Sequence, residues 1–142
     1  MSMNLDNSKT IIGSTEYIDF KSHHVFNVPA KIDTGADASA LWASDIRVEG
    51  DSVIFKLFGP SNKLYTGEEI KCTGFKRSLI RNTSGVSEKR FKVRLTVRVK
   101  ERNIRAWFTL ADRSDMVFPV LLGRRTLHNK FIVDVSKKSV DI

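Results

Sequence analysis

The sequence has one cysteine, three prolines and no long apolar run. Because Cys72 is the only cysteine among the 142 residues, no disulfide can form within the chain, which fits a reducing compartment. The N-terminal residues lack the apolar core of a signal peptide, and nowhere do the roughly 18 uncharged apolar residues of a membrane span follow one another. We therefore expect a soluble, cytoplasmic protein that makes no membrane contact.

Motifs of several hydrolase classes are also absent. There is no His-Glu-x-x-His sequence, the neighbours His23 and His24 would point to opposite sides of a strand, and His128 stands alone. No Gly-x-x-x-x-Gly-Lys-Ser/Thr loop is present to hold the phosphates of ATP. Ser39 and Ser84 lie outside any Gly-x-Ser-x-Gly motif, so we interpret both as turn or packing residues. The sequence predicts no metal site and no cofactor.

Acidic residues are scarce in one part of the chain. The formal net charge is +8, and residues 71–105 contain 12 Lys or Arg residues but only two acidic ones, Glu88 and Glu101. Such asymmetry points to an acidic partner. Most of this charge falls on a predicted basic hairpin at 89–105, whose outer face continues to a tryptophan: Lys92, Arg94, Arg98, Lys100, Arg105 and Trp107. That face could be an ordinary solvated surface, attract an acidic peptide or contact RNA phosphates.

Alternating apolar residues predict an all-β protein. Residues 91–99 and 104–110 place apolar side chains at every second position, as in two paired strands with one buried face. Residues 1–9 are polar and expected to be disordered, and residues 10–142 to form a single β domain. Further strands are predicted at 10–20 with a break at 13–14, and at 25–32, 45–49, 52–58, 63–72, 74–81, 117–122 and 131–135. Between these, the sequence predicts a hairpin turn at 59–62 that could belong to a lid, loops at 82–87 and 112–116, and a short helix at 124–129.

Two separated stretches carry the strongest functional signal. A strand leads directly to Asp33, which enters a turn of small residues in which Gly35 can adopt open backbone dihedrals and Thr34 offers a hydroxyl. We interpret Asp33 as the centre of function, although Asp-x-Gly turns are common and the same residues could simply form a turn. Far downstream, the apolar run at 118–122 meets Gly123 and then a short helical pattern.

Together these stretches resemble the retropepsins, the retroviral-type aspartic peptidases. The sequence is more closely similar to a bacterial retropepsin-like family once labelled putative ATP-dependent zinc proteases, of which RimB is the best-known type. The similarity covers about residues 12–138 and is carried by Val28–Ala36, Ser39–Ala43, Asp112–Met116 and Phe118–Arg124. It implies a closed acid-protease β-barrel with one short helix after the Leu-Leu-Gly-Arg segment.

The resemblance also implies a mechanism and an oligomeric state. Aspartic peptidases need two carboxylates, one acting as base on water while the other, protonated, polarises the scissile carbonyl. Since the sequence has one Asp-Thr-Gly motif, the second carboxylate must come from another chain, which predicts a homodimer. The implied site consists of catalytic Asp33, the loop residues Thr34, Gly35, Ala36 and Asp37, and the bracing segment Leu121, Leu122, Gly123 and Arg124.

Individual roles follow from the same resemblance. Thr34 would hydrogen-bond to the partner's loop, Gly35 would leave room for the substrate backbone, and Asp37 would pair with Arg124. The expected substrate contacts are Arg77, Arg81 and Arg113. Because RimB is the partner of the glutamate ligase RimK, the resemblance implies cleavage within acidic, glutamate-rich tails of a ribosomal protein. The alternative is a non-catalytic basic β-barrel that binds RNA or a ribosomal partner through residues 92–107.

Overall fold

The protein is built almost entirely of short and medium β-strands. The computed structural model describes residues 9–81, 84–85 and 87–141, except for the side chains of Ile80 and Arg81. A 3₁₀ turn, Lys21–His23, joins the second and third strands, and the one α-helix among the described residues is α1, Arg124–Leu127. The strands are β1 Thr10–Ile12, β2 Thr15–Phe20, β3 Val25–Ile32, β4 Ser39–Glu49, β5 Ser52–Leu57, β6 Glu69–Thr73, β7 Lys76–Arg81, β8 Ser87–Val99, β9 Arg102–Ala111, β10 Val120–Leu122 and β11 Phe131–Val133.

The main sheet closes into a ring. Its hydrogen-bonded order is β10, β3, β2, β8, β9 and β4, and a further pairing between β10 and β4 joins the two ends. The strands β5 and β6 extend the sheet beyond β4, β7 pairs with the first half of β8, and β1 pairs in parallel with β11. The predicted all-β architecture with one short helix is thus confirmed.

The core is formed by the inner side of this ring together with β5. Along β8 the residues Val93, Leu95, Val97 and Val99 are buried while the side chains between them are partly or fully exposed, as the alternating pattern predicts. The largest fully buried side chains are Phe20, Phe55, Phe58 and Phe108. Rings of Phe20 and Phe108 pack edge to face with their centroids 5.8 Å apart, which joins β2 to β9 across the interior.

The prediction for 117–122 is wrong at its start. Strand β10 begins only at Val120, and Val117 is 63% exposed. Pro119 has no backbone N–H to donate to a sheet ladder, so regular pairing starts after it. The Pro119 carbonyl nevertheless accepts a hydrogen bond from the Trp42 amide at 2.9 Å. The short β10 is therefore central, as predicted, because it pairs with β3 on one side and β4 on the other.

The hairpin around 59–62 has the predicted pairing but a longer connection. Strands β5 and β6 pair antiparallel, yet β6 begins at Glu69 instead of residue 63. The Asn62 amide donates to the Gly59 carbonyl at 2.9 Å, and the Asn62 side chain accepts from the Leu64 amide at 2.8 Å. These bonds direct the backbone into consecutive turns and away from the ladder. Whether this hairpin acts as a lid stays a prediction.

Other element ends differ by a few residues. Residues 45–49 belong to the long β4, which has a register shift between Ser44 and Arg47, and β8 starts at Ser87 because β7 pairs with its first half. Of the loop predicted at 82–87, residues 82, 83 and 86 lie outside the described part. The helix predicted at 124–129 ends at Leu127, and the last strand ends at Val133. None of the described helices is long and apolar enough to cross a membrane.

Candidate active site

The backbone of Asp33 is fixed by two strands. It follows directly after β3, and β10 runs parallel beside β3 with Leu122 opposite Ile32. The Asp33 amide donates a hydrogen bond to the Leu122 carbonyl at 2.9 Å. Because β10 also pairs with β4, it fills the space between the strands that enter and leave the Asp33 turn. The sequence-predicted bracing segment therefore lies directly behind the candidate catalytic residue.

The Asp33 carboxylate is oriented by its own turn. Its Oδ1 accepts a hydrogen bond from the Gly35 amide at 3.0 Å, and the Ala36 amide bonds to the Asp33 carbonyl at 3.2 Å. A Cβ at position 35 would lie 3.2 Å from the same Oδ1, so glycine keeps this approach uncrowded. Asp33 is partly exposed, and its Oδ2 has no hydrogen-bond partner in the part of the chain that is described. One oxygen is thus positioned, and the other is available to water or substrate.

The loop after Asp33 is closely packed on the start of α1. A Cβ built on Gly123 would lie 2.5 Å from the Ala38 carbonyl oxygen and 2.9 Å from that of Ala36, which only glycine avoids. The Arg124 amide donates to the Ala36 carbonyl at 2.8 Å, and the Arg125 amide to the Asp37 carbonyl at 3.1 Å. These bonds join the first residues of the helix to the candidate catalytic loop.

A buried pair of hydroxyls adds a contact that the sequence did not predict. Ser39 Oγ accepts from the Gly123 amide at 3.0 Å and lies 2.6 Å from Thr126 Oγ1. Both side chains are buried, at 2% and 5% exposure. Ser39 was expected only to pack, and Thr126 was not singled out. Their signal in the sequence is weak, because a serine and a threonine 87 positions apart reveal a contact only when the fold is known.

Asp37 has two arginine neighbours, and the closer one is not the predicted one. Arg125 Nε donates to Asp37 Oδ2 at 3.0 Å, whereas the nearest approach of Arg124 to this carboxylate is 3.9 Å. Arg124 Nη1 instead donates to the Thr34 carbonyl at 2.9 Å. All of these groups are exposed, so each ion pair contributes little to stability by itself. Together the two arginines hold the backbone and the acidic end of the loop.

The remaining predicted residues are more dispersed. The Thr34 side chain is exposed, so its proposed bond to a partner's loop remains a prediction. On β7 the Arg77 guanidinium lies 5.0 Å from the Phe75 ring centroid and 5.8 Å from that of Phe91. Arg81 ends β7, but its side chain lies outside the described residues. Among the described residues, Arg77 makes no hydrogen bond to the Asp33 loop.

Arg113 has a structural contact. Its Nε donates to the Phe118 carbonyl at 3.1 Å, within the loop that leads to β10. Partial burial lowers the pKa of this guanidinium below its usual value, and the neighbouring positive charge of Arg90 lowers it further. A guanidinium remains charged despite such a shift, so Arg113 contributes a fixed positive charge near Arg90.

No metal centre is visible among the described residues. No group of three or more His, Cys, Asp or Glu side chains lies close enough together there to hold a metal ion. The hydrogen-bond donors on the Asp33 turn are the Gly35 amide, which binds the carboxylate, and Arg124, which binds the Thr34 carbonyl; neither group is a usual metal ligand.

Comparison with known proteins agrees with this geometry. The family model described as RimB-like, retropepsin-like aspartic endopeptidase RimB, matches residues 11–142. The chain belongs to this family. Asp33, its glycine turn and the supporting Leu122–Gly123 segment all lie within the matched region of this RimB-like protein.

Among curated proteins, the RimB-like chain is similar to parts of longer proteins. It is 31% identical over 137 residues to a probable alpha-L-glutamate ligase from Shewanella pealeana, covering 94% of this chain and 30% of the ligase. It is 29% identical over 136 residues to a probable alpha-L-glutamate ligase from Desulfotalea psychrophila, covering 93% and 29%. The chain thus spans about three tenths of the length of these relatives.

A solved structure shares the fold. The crystal structure of a protein of unknown function from Legionella pneumophila superposes with a TM-score of 0.73 at 21% sequence identity. The match covers 92% of this chain and 97% of the Legionella chain. At this identity the likeness concerns the fold alone.

Proposed function

We propose that this protein is an aspartic peptidase that acts as a homodimer, with Asp33 of each subunit contributing one carboxylate. The observation that carries the proposal is the Asp33 turn, in which the Gly35 amide orients one carboxylate oxygen while β10 supports the backbone from behind. Because the sequence contains one Asp-Thr-Gly motif, a single chain supplies one such carboxylate. Membership of a retropepsin-like aspartic endopeptidase family supports the same reaction class.

In the proposed dimer the two Asp33 side chains meet across a two-fold axis. Two carboxylates that close cannot both carry charge cheaply, so they share one proton. The ionised group removes a proton from water as the water attacks the scissile carbonyl, and the protonated group donates to the carbonyl oxygen. The resulting tetrahedral intermediate collapses to a free carboxylate and a free amine. No covalent bond forms between Asp33 and the substrate.

The proposed substrates are acidic segments of proteins, including glutamate tails. Two observations support this class. The chain has a net charge of +8, which attracts acidic peptides. Its relatives are named as probable alpha-L-glutamate ligases and contain a region similar to this chain within a longer protein. A peptidase that acts on glutamate-extended tails would remove residues that such a ligase adds, which is the RimK-associated role that the family resemblance implies.

Replacing Asp33→Asn tests the mechanism. We expect hydrolysis of a glutamate-extended peptide to fall to the uncatalysed level, because the amide cannot act as the base. The change preserves the size of the side chain and its acceptor oxygen, so the circular dichroism spectrum and the oligomeric state should stay unchanged. Products are quantified by mass spectrometry from acidic to neutral pH, and the molar mass by light scattering.

The matched control is Asp51→Asn, which makes the same change at the exposed turn between β4 and β5. This variant should retain wild-type activity. Full activity of Asp33→Asn, or a wild-type protein that cleaves peptides as a monomer, would contradict the shared-carboxylate mechanism.

A further inference from the structure

A strongly basic pocket lies beside the candidate catalytic loop. It is a cavity of about 160 Å³ between the outer face of β7, β8 and β9 and the region where the loop before β4 meets α1. Ser39 and Thr126, which support Gly123, form part of its wall. We call it the basic pocket because five cationic side chains and one tryptophan line it: Lys76, Lys92, Arg105, Arg125, Lys130 and Trp107.

The charge of the basic pocket is almost uncompensated. No carboxylate lines the cavity. Arg125 pairs with Asp37 at 3.0 Å, whereas Lys76, Lys92, Arg105 and Lys130 form no ion pair with any described residue. Four unpaired cations around one concave site produce a positive potential that low-dielectric walls concentrate. The occupant that this potential favours is an anion.

The strand register places like charges directly opposite one another. Lys76 on β7 is the cross-strand partner of Lys92 on β8, and Lys92 is in turn opposite Thr109 on β9. Like charges at directly opposed positions destabilise a sheet. A bound anion between them would remove this repulsion, whereas an empty site leaves it in place. The local sheet is thus less favourable without a ligand than with one.

The size of the pocket limits what can enter. Sites that enclose whole drug-sized molecules have volumes of about 300–1,000 Å³, and this cavity is smaller. It therefore suits part of a larger ligand, such as the carboxylate end of a side chain. Proteins that bind single-stranded nucleic acid usually stack bases on open aromatic rings. Here the Lys76 ammonium lies over the Trp107 ring, 4.4 Å from its centroid. Because it covers this face of the ring, it disfavours stacking of a base there.

We propose that the basic pocket binds carboxylate side chains of an acidic polypeptide at a point outside the cleaved bond. The pocket shares Ser39, Thr126 and Arg125 with the support of the Asp33 loop, so a polypeptide held there contacts the residues that position this loop. That this polypeptide is the substrate rests on the proposed peptidase function. The binding itself does not, because it depends on charges outside the Asp33 turn.

Binding of capped hexaglutamate, measured by calorimetry at low salt on the Asp33→Asn protein, tests the site without hydrolysis. Lys92→Glu combined with Arg105→Glu reverses two pocket charges, and we expect the dissociation constant to rise at least about tenfold. The control combines Lys63→Glu with Lys71→Glu, which makes the same change in net charge at exposed positions of the β5–β6 region. The control should stay within about twofold of the parent.

Equal weakening in both double variants would show a response to net charge alone and overturn the proposal. Binding of free glutamate as tight as that of hexaglutamate would overturn it in favour of a small-anion site. Tighter binding of polyuridine than of hexaglutamate, lost on the same two pocket changes, would instead indicate an RNA site.

Peptide cleavage by the wild type tests the proposed peptidase function separately from binding. If hexaglutamate binding depends on the pocket but the wild type cleaves no peptide, the binding site is supported and the peptidase proposal is wrong. If the wild type cleaves peptide but the pocket variant binds hexaglutamate as tightly as its parent, the peptidase proposal is supported and the basic pocket does not bind the substrate.

Discussion

At the scale of single residues, Gly123 is where the candidate site tolerates least change. Its position is set by contacts with the backbone carbonyls of Ala36 and Ala38, which have no alternative rotamer to move into. An added methyl group must therefore displace the loop that follows Asp33. We therefore expect packing at this glycine to affect the position of Asp33, the candidate catalytic residue.

The variant Gly123→Ala should lose both stability and activity. We expect the free energy of unfolding to fall by about 1–3 kcal/mol, the usual cost of overpacking. Hydrolysis by the folded fraction should also fall, because the Asp33 loop must shift to accommodate the methyl group. Urea denaturation and peptide hydrolysis by the folded fraction measure the two effects.

Gly74→Ala provides the control. Gly74 has a φ of +74° and nothing within 4 Å of an added Cβ, so the change costs backbone strain without a collision. It should lower stability by about 1 kcal/mol and leave the activity of the folded protein unaltered. Wild-type activity in folded Gly123→Ala would show that the loop does not depend on this contact.

Residue-level prediction from the sequence worked where backbone chemistry dictated the outcome. The turn at Asp33 could be predicted because Gly35 permits open backbone dihedrals, whereas the supporting position of Gly123 was implied by the family resemblance. The partner of Asp37 could not, since Arg124 and Arg125 are adjacent and have the same chemistry. Only the direction in which each side chain leaves the first turn of α1 decides that Arg125 makes the 3.0 Å contact.

At the scale of elements, α1 is attached to β4 through the two buried hydroxyls. Ser39 lies at the first residue of β4 and Thr126 within the four-residue helix. A helix this short has little stability of its own, so its position depends on tertiary contacts. The Ser39–Thr126 pair and the Gly123 amide together supply one of those contacts.

A double-mutant cycle with Ser39→Ala and Thr126→Val should reveal the coupling. Each single change leaves a buried polar group without its partner, which costs about 1–3 kcal/mol. The double variant should lose less than the sum of the two, by at least about 0.5 kcal/mol, because no unpaired hydroxyl remains between them. Urea denaturation gives the stabilities, and peptide hydrolysis gives the effect on the Asp33 loop.

The comparison pair is Ser52 and Thr73, whose hydroxyls lie 3.1 Å apart between β5 and β6. Ser52→Ala and Thr73→Val should alter stability without changing the activity of the folded protein. Strict additivity at Ser39 and Thr126 would mean that the two hydroxyls act independently.

Element prediction succeeded where one periodic signal covered a whole strand. The alternation along β8 and β9 follows from one buried and one solvated face, and both strands form as expected. Strand ends were less predictable, because they depend on local bonds that compete with the ladder. Pro119 delays β10, and the turn bonds of Asn62 delay β6.

At the scale of the whole molecule, the proposed dimer predicts how active and inactive chains combine. If each site needs Asp33 from both subunits, a mixed dimer of wild type and Asp33→Asn has one functional carboxylate and should be inactive. Refolding a fixed amount of wild type with an equal amount of variant should place half of the wild-type chains in mixed dimers. Activity should then fall to about half.

Peptide hydrolysis at saturating substrate measures this effect. Refolding with the same mass of serum albumin controls for crowding and surface loss, and should leave the activity unchanged. Unaltered activity in the mixture with Asp33→Asn would show that a single chain contains the complete site.

The overall architecture was more predictable than the assembly of its parts. The all-β class followed from residue patterns, and the retropepsin-like topology followed from the resemblance carried by the Asp33 and Gly123 segments. The basic pocket did not follow, because it forms only when β7, β9 and α1, distant in sequence, come together. The charge pattern predicted that the outer face of residues 92–107 could attract an acidic partner, but not that this face forms a pocket with α1.

Strand β10 also has a consequence for the moment at which activity can arise during synthesis. Gly123 and Ser39, which meet behind the Asp33 loop, are separated by 84 residues in the chain. Contacts at such separation form late and slowly, whereas local hairpins can form as soon as their residues emerge. A nascent chain that still ends before Val120 therefore carries Asp33 without its support. Activity that depends on Asp33 would therefore arise only after the segment that contains Val120 and Gly123 has been synthesised and has packed behind the loop.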